Sequence, residues 1–441
     1  MATLPVYFEQ RRVGAIDIDK NGPVFTYDPN WIGLRGAFPI SITMPLGSGR
    51  IASDTFLPWA ANLLPESEQL RTLGQLLGMA RGDVIGLLSA IGGDTAGALS
   101  IGQPGRTASV QWRPIDKPQD LERLIEQLPS KPFLVGEEGV SMSLAGVQTK
   151  LAVAVDQTGC VCIPMNGSPS THILKPDAPR LWGSVQNEAF CLTLARRMKI
   201  STPSVTTGRA GKRTYLLVKR FDRTEVSGRW RRLHQEDYCQ ALGKPPSAKY
   251  EANQTGIRGP ALKDMFELTR RHMQSFDILH LLDMVVVNVL ACNTDAHAKN
   301  YAIIIRGNGT SIAPMYDLMC GEVWENVTKN LAQKIAGKSR GDHLTGRDWQ
   351  QFARECGLNP RQILDRVGTL AKSALAEAEA AASEVVAMPA GPHEVLVQTR
   401  EAVERRARIL LAQLQESGDD PVKAIDTEET AVAREERSYL G

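Results

Sequence analysis

Asp295 and Asn300 stand five residues apart in the stretch Cys292-Asn293-Thr294-Asp295-Ala296-His297-Ala298-Lys299-Asn300. The apolar run before them, residues 278–290, reads as a buried helix. After them, residues 301–306 and 311–315 read as a hairpin turning at Gly307-Asn308-Gly309, and Tyr316-Asp317 follows. A loop aspartate, an amide five residues on and a second aspartate behind a short hairpin are parts that phosphoryl transfer needs. Asp295 would accept the proton of an acceptor hydroxyl, and Asn300 and Asp317 would offer hard oxygen ligands to magnesium. Such a reaction asks for positioning and charge neutralisation more than for covalent catalysis. Asp and Asn are also ordinary turn and cap residues, so the spacing leaves a purely structural role open.

Upstream lies the complementary charge. Lys175 ends a short strand, Thr171-His172-Ile173-Leu174-Lys175, and thirteen residues later Glu188 opens a helix. A strand lysine on the nucleotide phosphates, fixed by a helix glutamate, is the other half of a kinase site. Glu188 could instead simply favour its own helix N-terminus. Ser143-Leu144-Ala145-Gly146-Val147-Gln148-Thr149-Lys150 precedes the first strand of this segment. Small residues at Ala145 and Gly146 let backbone amides approach phosphates, and Lys150 adds charge. The string is neither a Walker A sequence nor GxGxxG, and an ordinary loop has the same composition. Lys219-Arg220-Phe221-Asp222 ends the last strand before the helical half. A hinge there would offer backbone groups to adenine; the alternative is a charged strand end in water. His297 is superfluous as a base beside Asp295 and reads as a structural or nucleotide-facing residue.

The elements that must hold these residues follow from periodicity. At 441 residues, two or three packed subdomains are expected. Residues 1–135 carry short strands at 6–8, 13–16 and 24–27, then helices at 66–79 and 84–91, with a polar linker near 104–118. Residues 136–240 read as a strand-rich segment: 151–155, 161–163, 171–175, a helix over 188–198 closed by Pro203, and a hairpin of 204–209 with 214–221. Residues 241–415 read as helical, with helices near 371–386 and 396–415. Residues 416–441 form a polar, acidic tail expected to be flexible.

Composition excludes several classes. Hydrophobic residues at 42% and charged residues at 23% fit a globular protein rather than a disordered one. A net charge of +2 makes any nucleic-acid contact local or indirect. The seven cysteines include the pair Cys160-Val161-Cys162 but no second pair at ligand spacing, so buried thiols are expected rather than a zinc site. No membrane-length apolar segment or leader pattern is present, which makes the cytoplasm the expected location.

Taken together, Asn62-Leu63-Leu64-Pro65, Ser143 to Lys150, Thr171 to Lys175, Asn187-Glu188, Lys219 to Asp222, Asp295 to Asn300 and Tyr316-Asp317 resemble the HipA family of serine/threonine kinase toxins. The resemblance implies an α+β, protein-kinase-like bilobal fold: a β-rich N-lobe with an extra N-terminal β/α subdomain, and an all-helical C-lobe. It implies ATP and Mg2+ as cofactors. Asp295 would be the catalytic base, and Asn300 and Asp317 the magnesium ligands. Lys175 would hold phosphate, supported by Glu188. Ala145, Gly146, Val147, Gln148, Thr149 and Lys150 would cradle the phosphates. Lys219, Arg220 and Phe221 would contact adenine. His297, Ala298, Lys299, Asn300 and Tyr316 would also face the nucleotide. Ser143 matches the serine that these kinases autophosphorylate. Implied partners are a helix-turn-helix antitoxin, operator DNA reached through it, and an aminoacyl-tRNA synthetase as substrate, notably the glutamyl enzyme.

One departure is Ala296, where the family commonly has glycine; a positive φ there would cost roughly 1–2 kcal/mol. Arg209, Lys212, Arg213, Arg220, Arg223, Arg229, Arg231 and Arg232 form a basic run that reads as a solvated sheet edge, or as a surface for an acidic substrate or DNA. A non-catalytic scaffold of a repressor complex and a small-molecule kinase are the alternative functions.

Overall fold

The computed structural model describes residues 3–106 and 109–415. The expected acidic tail lies outside the described residues. An N-terminal antiparallel sheet has the strand order Arg50–Ile51, Gly22–Tyr27, Arg11–Asp19, Leu4–Phe8, Leu99–Ile101. Its alternation buries Val6, Val13, Phe25 and Tyr27 against the helices Ser53–Ala61 and Val84–Ile91. Asp83 starts the second of these by accepting the N–H of Gly86 at 2.9 Å.

The second sheet runs Val205–Ala210, Arg213–Lys219, His172–Pro176, Leu151–Val155, Val161–Met165, Gln111–Pro114. The last strand corrects the expected linker at 104–118: its Trp112 pairs with Pro164 at the sheet edge. The boundary expected near 135 moves with it. The helix Pro118–Gln127 lays Leu121 and Ile125 into the same core as Leu151, Val153 and Ile163, so it belongs to this sheet.

The remainder is mainly helical. Ser275–Leu290 buries Leu281, Leu282, Val285, Val286, Val289 and Leu290, each contributing about 1.5–3 kcal/mol of apolar transfer. Pro360–Val386 is capped by Asn359, which accepts from Arg361 and Gln362. Its buried Ala374, Ala378 and Ala381 let the helix Val395–Gln415 approach closely. The expected all-helical C-lobe is corrected in one respect. It also carries the sheet His234–Asp237, Ala302–Arg306, Gly309–Ile312 and the hairpin Asn330–Ile335 with Lys338–Arg340. The helix expected to open at Glu188 begins a turn earlier, at Ser184, because Asp177 accepts the N–H groups of Gly183 and Val185.

A buried charge cluster ties the N-terminal subdomain to the second sheet, and it overturns part of the basic-run reading. Arg220, Arg223 and Arg232 are at most 4% exposed rather than solvated. They surround Asp94 and Asp222, each 2% exposed. Arg223 donates to Asp94 at 2.7 Å and to Gly97 O at 2.7 Å. Arg220 grips Asp222 through Nε and Nη2 at 2.9 and 2.7 Å. Ser170 Oγ donates to Asp94 at 2.6 Å. Burial alone would raise the Asp94 pKa, but the guanidinium groups of Arg223, Arg220 and Arg232 outweigh it and hold the carboxyl far below the usual range.

The sign follows from that depression. Stability from Asp94 is complete above the unfolded value of about 3.9 and is lost as pH falls through the depressed folded value. Asp94→Asn leaves three buried guanidinium groups facing one carboxylate and should cost about 3–5 kcal/mol. Urea unfolding at pH 7 and at about pH 2.5, inside the window between the unfolded and folded values, checks this: the variant's midpoint should fall at pH 7 and change less than the wild type's on acidification.

Candidate active site

A cavity of about 670 Å³ opens between the second sheet and the helical half, a volume that suits a nucleotide. Its floor is a buried ammonium. Lys175, on the strand His172–Pro176, is held by Glu188 Oε1 at 2.7 Å and Asp317 Oδ1 at 2.5 Å. Burial would lower the Lys175 pKa, but the two carboxylates reverse this and keep it charged. Asp317 is correspondingly held far below the usual carboxylate range, against burial, by Lys175 and Lys150. Its φ of +55° places it in the left-handed region, a strain that Asp tolerates better than most residues. Glu188 comes from the helix Ser184–Arg197, which packs on Pro360–Val386. The three partners therefore come from a sheet, a helix and a loop.

The helix Ser275–Leu290 ends in the loop that presents Asp295. Its side chain is 65% exposed, at the cavity wall. The surrounding walls and the charge of Asp317 raise its pKa above the usual value, while a hydrogen bond from Tyr250 lowers it. Asn300 donates through Nδ2 to Asp295 O at 2.8 Å, so its amide oxygen is the atom that can ligate a cation. Asn300 and Asp317 form an all-oxygen donor pair on one cavity, which fits magnesium. Ala296 is not among the residues of positive φ, so replacing the usual glycine costs nothing there.

The loop Ala145 to Lys150 lines the cavity, with Lys150 Nζ donating to Ala145 O at 2.6 Å. Gly146 has φ +105°, and a Cβ there would lie 2.8 Å from Lys150 Nζ. Burial pulls the Lys150 pKa down to about 8. The N-terminal subdomain holds this loop inward: Glu66 N donates to Gly146 O at 3.1 Å and Gln69 Nε2 to Val147 O at 2.7 Å. Ser143 is fully buried, its Oγ donating to Leu63 O at 2.6 Å and its N–H to Asp94 O at 3.0 Å.

Other residues singled out from the sequence divide. Lys219, Phe221, His297 and Tyr316 line the cavity, and the rings of Phe221 and Tyr316 lie 5.5 Å apart. Burial drives the His297 pKa well below its usual value, so the ring is neutral, and its Nδ1 is buried without a partner. Arg220 also borders the cavity, but its guanidinium is spent on Asp222 and its N–H on Thr171 O at 2.9 Å. Lys299 likewise turns its ammonium to Asn62 Oδ1 at 2.7 Å and Asp237 at 3.3 Å. Ala298 is fully buried outside the lining. Tyr250, Lys249 and Asp237 are not singled out from the sequence; Tyr250 and Lys249 lie in a stretch without periodicity and Asp237 ends the strand His234–Asp237, and they complete the surroundings of Asp295 and Lys299.

Comparison with known proteins places this arrangement. Residues 4–102 match the HipA N-terminal domain, and residues 142–378 match the HipA-like C-terminal domain. The Y4mE protein of Sinorhizobium fredii is 34% identical over 381 residues, covering 84% of this chain and 89% of that one. The serine/threonine-protein kinase toxin HipA of Shewanella oneidensis is 30% identical over 400 residues, covering 88% and 90%. A solved structure of Shewanella oneidensis HipA with HipB and operator DNA superposes with a TM-score of 0.80 at 28% identity, covering 94% of this chain and 99% of that one. With both domains matched in order along the chain, this protein belongs to the HipA family.

Proposed function

We propose that this protein is an ATP-dependent serine/threonine kinase that acts as the toxin of a toxin–antitoxin pair. The observation that carries the proposal is the Lys175 ammonium fixed between Glu188 and Asp317, in a cavity also lined by Asp295 and Asn300. A structural ion pair needs no adjoining cavity. A scaffold for DNA-bound repressors needs no convergent lysine, carboxylates and amide.

In this reading Lys175 and the backbone of residues 145–150 orient the ATP phosphates, and Phe221 and Tyr316, packed on each other, line one side of the adenine site. Asp295 orients the acceptor serine and receives its proton. Asn300 and Asp317 would hold Mg2+, which supplies positive charge against the γ-phosphoryl oxygens. The relationship to the Shewanella HipA kinase supports the toxin role, and that protein's complex with HipB and operator DNA supports a DNA-binding antitoxin as partner. We infer a cytosolic site of action. The substrate class we propose is an aminoacyl-tRNA synthetase, whose phosphorylation would halt translation and arrest growth.

Ser143 would serve as a built-in brake. Its burial under Leu63 requires the loop to leave its inward position before the hydroxyl can be modified. A phosphoserine carries nearly two negative charges and does not fit back into that site, so the loop that cradles ATP phosphates would stay out.

Asp295→Asn should reduce phosphoryl transfer by about 10²–10⁴-fold while ATP affinity stays near the wild-type value. Radiolabelled γ-phosphate transfer alongside calorimetric ATP binding measures both, and full transfer activity in the variant would refute the assignment of the base. Protein phosphorylated on Ser143, identified by mass spectrometry, should bind ATP at least about 100-fold more weakly than the unmodified form, reflecting loss of several charge-assisted hydrogen bonds. Equal affinity of the two forms would remove the brake.

A further inference from the structure

Tyr250 stands next to Asp295 but outside the cavity lining. It follows the turn Pro246–Ala248 and precedes the helix Leu262–His272. Its hydroxyl donates a hydrogen bond to Asp295 Oδ1. The ring is braced on two sides. The imidazole of His297 meets it edge to face at 5.0 Å, and the Lys249 ammonium lies 5.4 Å from its centroid. Lys249 is itself fixed by Glu66 Oε2 at 2.7 Å. Glu66 is the residue whose N–H reaches Gly146 O in the phosphate loop. One chain of contacts thus runs from the phosphate loop to the carboxylate of Asp295.

A base that orients an acceptor hydroxyl does so by accepting its hydrogen bond. The phenol of Tyr250 makes that bond with Asp295. We propose that Tyr250 is a displaceable plug: its hydroxyl fills the acceptor position on Asp295 until a protein serine docks and pushes it aside. The proposal rests on the reading of Asp295 as the base.

The plug has a chemical purpose. The Asp295 side chain is 65% exposed even with Tyr250 in place, so water already meets its second oxygen, and what Tyr250 denies to water is the position on Oδ1. With ATP bound, the oxygen of a water in that position attacks the γ-phosphorus, and the bond from γ-phosphorus to the bridging oxygen of ADP breaks. Asp295 takes the water's proton, and inorganic phosphate and ADP leave. A kinase waiting for its target would consume ATP by this route. Tyr250 keeps water off Oδ1 while the protein acceptor is absent, and the brace through Lys249 and Glu66 ties its position to an inward phosphate loop.

Phosphate release by the full chain in Mg-ATP without a protein acceptor tests this. Tyr250→Phe keeps the ring and its contacts but leaves room for one water on Asp295. Its hydrolysis rate should rise about 10-fold, at the modest end of what a positioned general base contributes. The double variant Asp295→Asn/Tyr250→Phe should show no such rise. A crystal structure of nucleotide-free Tyr250→Phe should hold a water bonded to Asp295 where the phenol oxygen stood. An unchanged rate in Tyr250→Phe overturns the plug, as does a rise that persists in the double variant. Phosphotyrosine at position 250 in the wild-type protein also overturns it, since the hydroxyl would then be an acceptor itself. Wild-type protein that binds no Mg-ATP and transfers no phosphate would instead overturn the kinase reading beneath it.

Discussion

Everything at the centre of this molecule depends on one buried ammonium. Lys175 is 6% exposed, and an unpaired charge at that depth would cost several kcal/mol. It is tolerable only because Glu188 and Asp317 both reach it. Those partners belong to different parts of the fold. The strand of Lys175 belongs to the second sheet. The helix of Glu188 is packed into the C-terminal helices, and Asp317 follows the hairpin Ala302–Arg306 and Gly309–Ile312. The ion triad therefore registers the two lobes against each other. In the proposed reading, an arriving phosphate would take the place of Asp317 on the ammonium and free that carboxylate for a cation, while Glu188 would keep the lysine in position.

The same device recurs at the N-terminal subdomain. Asp94 and Asp222 with Arg220, Arg223 and Arg232 form a second buried cluster, and it anchors the residues 219–222 that border the cavity. Asn62 and Glu66 extend this anchorage to Lys299, Lys249 and the phosphate loop. Buried ions contribute little net stability, but removing one partner is costly, so they specify a unique relative placement of the parts. Here that placement sets Glu66 and Gln69 against the carbonyls of Gly146 and Val147 in the loop of residues 145–150.

Much of this was legible in the residues, for local reasons. Asp295, Asn300 and Asp317 are linked by a short loop and one hairpin, so spacing alone constrains where they can go. The Lys175–Glu188 pair is separated by a single strand-to-helix connection. Apolar periodicity identified most of the helix Ser275–Leu290, three of the five strands of the N-terminal sheet and five of the six of the second, missing the short strands Arg50–Ile51 and Leu99–Ile101. The failures share another cause. Arg220, Arg223 and Arg232 look solvated because a sequence does not show that Asp94, more than a hundred residues earlier, waits to meet them. Gln111–Pro114 is polar because it is an edge strand with one exposed face. Tyr250 sits in a Pro-rich, aperiodic segment, where nothing local announces its approach to Asp295.

The central claim is that Lys175, Asn300 and Asp317 converge on the phosphates and metal of one nucleotide. A crystal structure of the full chain with Mn2+ and a non-hydrolysable ATP analogue tests it most directly, because anomalous scattering locates the manganese independently of any refinement choice. The account predicts manganese bound by the Asp317 carboxylate and the Asn300 amide oxygen, with Lys175 on a phosphate oxygen and still paired to Glu188. Nucleotide outside the interlobe cavity, or manganese remote from both Asn300 and Asp317, would contradict it.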